Sequence, residues 1–199
     1  MYQVILFDLG NVILPFDPRI LARKLTAYSP YSEERILGSL WHPALGTSLE
    51  TGQIGPREFF EQVCRRCRLR MGYGKFMEAF NSIFREDPEV IKLLSKLKAR
   101  YPIGLISNTN AAHMDHIKKN FTFVSCIDEM ILSHEVGLRK PDPAIYWHAL
   151  ERFGVSPEQA VFIDDVADNV KAAHDIGITA IQFVSAGQLT ENLAQLGID

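Results

Sequence analysis

Several polar residues whose side chains could bind ions or take part in catalysis come shortly after short apolar runs of the sequence. They are Asp8, Ser107, Lys140, Asp164 and Asp165. Each of these residues taken alone is common after a strand, where Asp and Ser form turns and cap helices. Taken together, they offer three carboxylates, a hydroxyl and an ammonium group, a set that could bind a cation and an anion side by side.

The three acids predict a metal site. Carboxylates that lie close together repel one another unless a cation joins them, and hard oxygen ligands with room for water are what Mg²⁺ prefers. A lysine beside a magnesium ion makes a site for an anion, and Ser107 and Asn108 precede a helix whose first N–H groups could hold phosphate oxygens. A carboxylate that faces a bound phosphoryl group can attack it to form an aspartyl-phosphate. Asp8 is the candidate nucleophile.

The apolar runs that precede these residues predict buried strands of a parallel sheet. The runs cover residues 4–7, 103–106, 130–132, 161–163 and 179–184. Helix start signals stand between them, such as Asp87-Pro88-Glu89 and Asp142-Pro143. Alternating strands and helices predict an α/β fold with a doubly wound, Rossmann-like parallel sheet, in which ligands bind beyond the carboxyl ends of the strands.

One interval breaks this alternation. Between Asp8 and Asp87 no good strand is visible, and helical patterns lie near residues 17–28, 32–41, 57–70 and 74–84. We therefore predict a helical insertion after the first strand. Its expected limits are residues 15–85, with the core formed by residues 1–14 and 86–199.

Composition and net charge indicate which kind of protein this is and which kinds of partner it can bind. With 199 residues, 47% hydrophobic and 23% charged, the chain is typical of a globular protein rather than a disordered one. Its net charge of −3 gives no general attraction to nucleic acid or to an anionic membrane. No apolar run approaches about 18 residues, and no basic signal segment opens the chain. We expect a cytoplasmic monomer or weak homodimer whose partner is a small phosphorylated metabolite.

The order of the motifs resembles that of the haloacid dehalogenase superfamily of phosphohydrolases across nearly the whole chain. The matching segments are Val4 to Asp8, Leu105 to Asn108, Lys140-Pro141, and Val161 to Asp165 with Asn169. The resemblance implies a Rossmann-like core, Asp8 as nucleophile and a first-type helical cap that closes over the substrate. It also implies that Mg²⁺ is held by Asp8, the backbone carbonyl of Gly10 and Asp165, and that Ser107 and Lys140 hold the phosphate.

Three further side chains are expected to support this site. Asp164 stands behind the metal ligands, and Asn169 is expected to steady Lys140 or Asp165. Asn11 could hydrogen-bond the oxygen of the leaving group.

Other features have a plain structural interpretation. Cys64 and Cys67 lie in a helical stretch, which predicts reduced thiols rather than a metal or redox site. His113 and His116 are expected on a solvated helix face, and Asp168 is expected to cap a helix.

One departure from the superfamily bears on the reaction. Its phosphatases usually carry a second Asp two residues after the nucleophile as acid and base, and this chain has Gly10 there. An anomeric sugar oxygen leaves more easily than the oxygen of an ordinary alcohol. The sequences of the motifs are also similar to those of bacterial glucose-1-phosphate phosphatases. We therefore predict a Mg²⁺-dependent phosphatase acting on a sugar phosphate such as glucose-1-phosphate.

Two alternatives remain open. The first is a non-catalytic protein that senses phosphorylated metabolites or binds a partner and lost turnover together with the general acid. The second is a haloacid dehalogenase, which attacks carbon and needs no metal. The acid pair Asp164-Asp165 argues against the second alternative.

Overall fold

The short apolar runs form the strands of one sheet in the computed structural model, which describes residues 1–198. The strands are β1 (Val4–Phe7), β2 (Ile103–Ser107), β3 (Glu129–Leu132), β4 (Ala160–Asp164) and β5 (Thr179–Gln182). Their order is β3-β2-β1-β4-β5, and all neighbouring strands are parallel. Every residue of β1, β2 and β4 is buried, as expected for a sheet covered on both faces. The predicted doubly wound α/β fold is confirmed.

Six helices lie between β1 and β2, and the first five of them form the inserted cap. The cap helices are α1 (Pro18–Thr26), α2 (Glu33–Leu40), α3 (Pro43–Glu50), α4 (Pro56–Cys67) and α5 (Tyr73–Asn81). These helices share a hydrophobic cluster of their own, which includes Leu21, Phe59 and Phe76. The limits set above for this unit, residues 15–85, stay a prediction.

The remaining helices cover the two faces of the sheet. They are α6 (Pro88–Lys98), α7 (Ala111–Asn120), α8 (Ser133–Val136), α9 (Pro143–Phe153), α10 (Ala167–Asp175) and α11 (Ala186–Gln195). Alternate residues of β1 point to opposite faces, so that Ile5 and Phe7 join one hydrophobic cluster and Val4 and Leu6 join another. Across residues 1–198, no helix is long and apolar enough to cross a membrane.

The chain passes from the core to the cap and back at one place. The N–H of Asp17 donates to the carbonyl of Ile83 at 3.2 Å, and the N–H of Arg85 donates to the carbonyl of Pro15 at 3.0 Å. Residues 15–17 and 83–85 therefore lie side by side, and we call them the crossover ribbon.

Three local predictions were wrong or incomplete. The sequence analysis missed α3, where Pro43 starts a helix because its fixed φ suits the first turn. Asp168 does not cap α10: the cap position is Val166, and Asp168 lies in the first turn. His113 is only 9% exposed, because the cap covers the face of α7 that carries it.

Candidate active site

Lys140 joins two carboxylates at the carboxyl ends of the central strands. Its Nζ lies 2.6 Å from Asp8 Oδ1 and 2.6 Å from Asp164 Oδ2. Strands β1 and β4 are neighbours, with Phe7 paired to Ile163, so the residues that follow emerge next to each other. All three charged side chains are buried. Because a buried charge is stable only when it is paired, the lysine and the two acids depend on one another.

Asp164 is fully engaged by its neighbours. Asn169 Nδ2 lies 3.0 Å from each carboxylate oxygen, and the N–H of Val166 donates to Oδ1 at 2.8 Å. With Lys140 on Oδ2, Asp164 holds the lysine in place, and Asn169 acts on Lys140 through Asp164. The sequence analysis expected a contact of Asn169 with Lys140 or Asp165, whereas the structure places Asp164 between Asn169 and the lysine.

The acid cluster fits a divalent cation. Ligand atoms of Asp8, Asp164 and Asp165 lie within 4.8 Å of one another. Three carboxylates against the one ammonium group of Lys140 leave the cluster short of positive charge. Burial raises the pKa of Asp8 to about 7, with Lys140 opposing the rise and Asp164 adding to it. Burial also raises the pKa of Asp165. A hard cation that binds carboxylate oxygens would relieve this shortage.

The loop after β2 is tied to the lysine. Asn108 Nδ2 donates to the carbonyl of Lys140 at 2.9 Å, and the N–H of Lys140 donates to Asn108 Oδ1 at 2.8 Å. Ser133 Oγ accepts from the N–H of Thr109 at 2.9 Å and donates to its carbonyl at 3.1 Å. The sequence analysis did not foresee either contact, since both join segments that are distant in the chain. Ser107 ends β2 at the same edge of the sheet.

The turn after Asp8 explains the glycine at the second position of the motif. A Cβ on Gly10 would lie 2.8 Å from Cε1 of Phe16, so the ring of Phe16 occupies the space that a side chain would need. Asn11 has a φ of 55°, which is uncommon for a residue other than glycine. Its Oδ1 accepts from the N–H of Phe16 at 3.3 Å, and its hydrogen bond to Asp165 opposes the rise in pKa that burial causes. Asn11 thus ties the acid cluster to the crossover ribbon.

A cavity of about 130 Å³ lies beside the acid cluster, between core and cap. Its core side includes Gly10 and residues 107–110. Its cap side and the crossover ribbon contribute large apolar side chains, which are Phe16, Leu40, Trp41, Leu49, Phe59, Phe80, Ile83 and Phe84. Glu50 also lines the cavity. The cavity is therefore polar at one end and apolar at the other.

His113 also lines the cavity. Its ring stacks on Phe80 with the centroids 4.0 Å apart and meets Phe84 edge-on at 4.9 Å. Its Nδ1 lies 3.0 Å from the amide nitrogen of Asn110. Burial lowers the pKa of His113 to about 3, so the imidazole is neutral near pH 7. The prediction of a solvated histidine is wrong.

The cap also meets the core closely at the end of α3 and just after it. Arg139 Nη2 lies 2.8 Å from Glu50 Oε2, and Arg139 directly precedes Lys140. Gly52 has a φ of 70°, and a Cβ there would lie 2.4 Å from the carbonyl oxygen of His134. Only glycine allows this approach of the two backbones.

Comparison with known proteins gives the family. A family model for haloacid dehalogenase-like hydrolases matches residues 2–177. D-ribitol-5-phosphate phosphatase of Bacteroides thetaiotaomicron is 23% identical over 189 residues, which cover 92% of each chain. A sesquiterpene phosphatase of Aspergillus oryzae is 22% identical over 98% of this chain and 96% of its own. The crystal structure of a family enzyme from B. thetaiotaomicron, in complex with magnesium and inorganic phosphate, has a TM-score of 0.83 at 26% identity, covering 94% of this chain and 96% of its own.

Proposed function

The chain belongs to the haloacid dehalogenase-like hydrolase family, and on this premise we propose that it is a magnesium-dependent phosphatase of a small phosphorylated metabolite. The observation that carries the proposal is the contact of Lys140 with both Asp8 and Asp164 inside the acid cluster. A cluster of this kind lies next to a cavity that is polar at one end and apolar at the other, which suits a phosphate monoester. The phosphate dianion binds to cations, and the organic group packs against the apolar side chains.

Asp8 is the proposed nucleophile. Lys140 contacts Oδ1, which leaves Oδ2 to attack phosphorus. A bond forms between Oδ2 and phosphorus, the bond from phosphorus to the ester oxygen breaks, and the departing alkoxide takes a proton from water. Water then attacks phosphorus and gives a proton to the hydroxide left by the first step, the bond to Oδ2 breaks, and inorganic phosphate leaves with Asp8 restored.

The surrounding residues stabilise the transferring group. Lys140 and Ser107 would hold phosphoryl oxygens, and the contact with Asp164 keeps the lysine in position. Asp8, Asp165 and the carbonyl of Gly10 would hold Mg²⁺, which supplies further neutralisation of phosphoryl charge. The cap lies over the cavity and limits access of bulk water.

Position 10 offers no acid for the leaving group. General acid catalysis contributes roughly 10²- to 10⁴-fold, so its absence favours esters that leave without strong assistance. Glucose-1-phosphate is such an ester, and it stays the prediction drawn from the sequence. The names of the two relatives span a sugar alcohol phosphate and a sesquiterpene phosphate, so family membership leaves the organic group open.

The direct test is phosphate release from a panel that includes glucose-1-phosphate, glucose-6-phosphate and benzyl phosphate, with and without Mg²⁺. We expect release that requires the metal. No phosphate release from any compound of the panel would favour the non-catalytic alternative. Metal-independent release of chloride from a 2-chloro acid would favour the dehalogenase.

A further inference from the structure

The cap side of the cavity indicates what kind of organic group the phosphate carries. We infer that the site takes phosphate monoesters whose organic group is one apolar ring, or a hydrocarbon of similar size, in preference to sugars and polyols, which departs from the sugar phosphate predicted from the sequence. This inference rests on the proposed function for the position of the phosphate, at the polar end near Ser107.

Polar and apolar groups are separated within the cavity. The polar contacts at the core end come from the loop of residues 107–110. Among the described residues that the cap contributes to the lining, Glu50 is the charged one, and Arg139 holds its carboxylate at 2.8 Å. His113 is neutral and packs between Phe80 and Phe84. The organic group of a bound ester therefore meets a mostly apolar wall, in which the buried Nε2 of His113 is a polar atom without a hydrogen-bond partner in the part of the chain that the structure describes.

This wall discriminates against hydroxyl groups. A hydroxyl that leaves water and finds no partner costs about tenfold in affinity, and a sugar carries several of them. An apolar ring loses nothing of this kind and gains dispersion and edge-to-face contacts with aromatic side chains. Phe16 and Phe84 both line the cavity, with their ring centroids 6.2 Å apart and their planes tilted by 53°.

The volume of the cavity limits the organic group to about one ring. The cavity measures about 130 Å³ with its polar end included, and an apolar cavity of roughly 150 Å³ holds benzene. Trp41 is 44% exposed although it lines the cavity, so it stands at the mouth rather than in the core of the cap. Its indole can cover a ring that enters.

Two esters of primary alcohols test the inference with matched leaving groups. Benzyl phosphate offers an apolar ring, whereas glucose-6-phosphate offers a sugar ring. With Mg²⁺ present, we expect kcat/KM for benzyl phosphate to be at least about tenfold higher. Equal or better turnover of glucose-6-phosphate would overturn the inference and leave the phosphatase proposal intact.

Binding decides the question even without turnover. The chain has two tryptophans, and Trp147 lies on α9 with 50% exposure, outside the cavity. In a D8N variant that also carries Trp147→Ala, the fluorescence of Trp41 alone reports ligand binding. We expect tighter binding of benzyl phosphate than of glucose-6-phosphate. If no ester is hydrolysed by the natural chain, the proposed function fails, and this titration still supports or overturns the inferred ligand class.

The two tryptophans also provide matched variants for activity. Trp41→Ala should raise KM for benzyl phosphate about tenfold and reduce its advantage over glucose-6-phosphate. Trp147→Ala removes an equally exposed indole and should leave both values unchanged, with circular dichroism confirming that both variants fold. An undiminished preference in Trp41→Ala would show that the aromatic wall does not select the ligand.

Discussion

The two ends of the cavity are built in different ways. At the core end, charged side chains stand at the ends of parallel strands, and each is fixed by partners, as Asp164 is by Lys140, Asn169 and Val166. At the cap end, side chains from separate helices meet by packing alone, as Phe59 and Phe80 do at 5.3 Å between centroids. Sheet topology therefore places the charged groups to which we assign the reaction, and a separate helical unit shapes the space that we assign to the organic group.

This difference predicts how each end responds to substitution. Removal of one partner at the core end leaves a buried charge uncompensated, which is costly. Removal of an apolar side chain at the cap end loses contacts in proportion to its size. Core variants should act on turnover and stability together, and cap variants should act mainly on ligand preference.

The largest effect is expected from Asp8→Asn. The amide is nearly isosteric with the carboxylate but is not nucleophilic, so turnover should fall by at least about 10⁴-fold. Phosphate release measures the loss, and circular dichroism shows whether the fold persists. Wild-type turnover in this variant would refute the assignment of the nucleophile.

Lys140→Met tests whether the lysine holds the core end together. It leaves Asp8 and Asp164 buried without their cation, so the free energy of unfolding should fall by about 3–5 kcal/mol, and added Mg²⁺ should restore part of it. Lys171→Met is the control, because Lys171 pairs with Asp175 on an exposed helix face, where such pairs contribute roughly 0.3–0.5 kcal/mol. Similar losses in the two variants, measured by urea unfolding, would contradict the interpretation.

Gly10→Asp tests the junction between the two ends. The new side chain collides with Phe16, so the variant should lose about 1–3 kcal/mol of stability. Combining it with Phe16→Ala should recover about 1 kcal/mol or more relative to the sum of the single changes. Gly38→Asp is the control, because a Cβ on Gly38 meets open space. Additive effects of Gly10→Asp and Phe16→Ala would mean that the ring does not occupy the site of the missing acid.

His113 should make stability depend on pH. Its pKa is about 3 in the folded protein, whereas the ordinary value for a solvated histidine, as in the unfolded chain, is 6.5. Between these pH values the unfolded chain binds a proton that the folded chain does not. Stability contributed by His113 is therefore lost as pH falls below 6.5, with a slope that approaches about 1.4 kcal/mol per pH unit. In His113→Leu this part of the slope should vanish. Parallel curves of unfolding free energy against pH for the two proteins would refute the prediction.

The smallest effect is expected where the cap meets the core through an ion pair. Arg139→Ala breaks the contact with Glu50, which is partly exposed, and should cost roughly 0.5–1 kcal/mol. Amide exchange in α3 should then speed up about two- to fivefold. Arg152→Ala is the control, because Arg152 forms an exposed ion pair with Glu129 and both residues lie outside the cap. This substitution should not affect α3. Equal exchange of α3 in both variants would show that the ion pair does not fasten the cap.

The sequence predicted the two ends unequally well. The convergence of Asp8 and Asp164 was predicted because a polar residue after an apolar run marks the end of a parallel strand, and Lys140 was added as the lysine that follows the third run. The contact between Ser133 and Thr109 was not found, since no local pattern relates two loops that meet only in the folded sheet.

The cap end gave no readable signal. Buried aromatic residues at helical spacing form a core in the same way as they line a cavity, so Phe80 could not be told from Phe76. His113 was misplaced for a related reason, because Phe80 and Phe84 of a distant segment cover it. Only tertiary packing distinguishes these cases.

The crossover ribbon has a consequence for how such proteins can diversify. Because residues 15–17 and 83–85 lie hydrogen-bonded to each other, everything between them can be lengthened, shortened or exchanged without changing the order of strands in the sheet. Evolution or protein engineering can therefore replace one helical unit by another while the acid cluster at the strand ends stays in place. The contacts between cap and core would have to be rebuilt around the new unit, such as the Arg139–Glu50 ion pair and the stacking of Phe80 on His113.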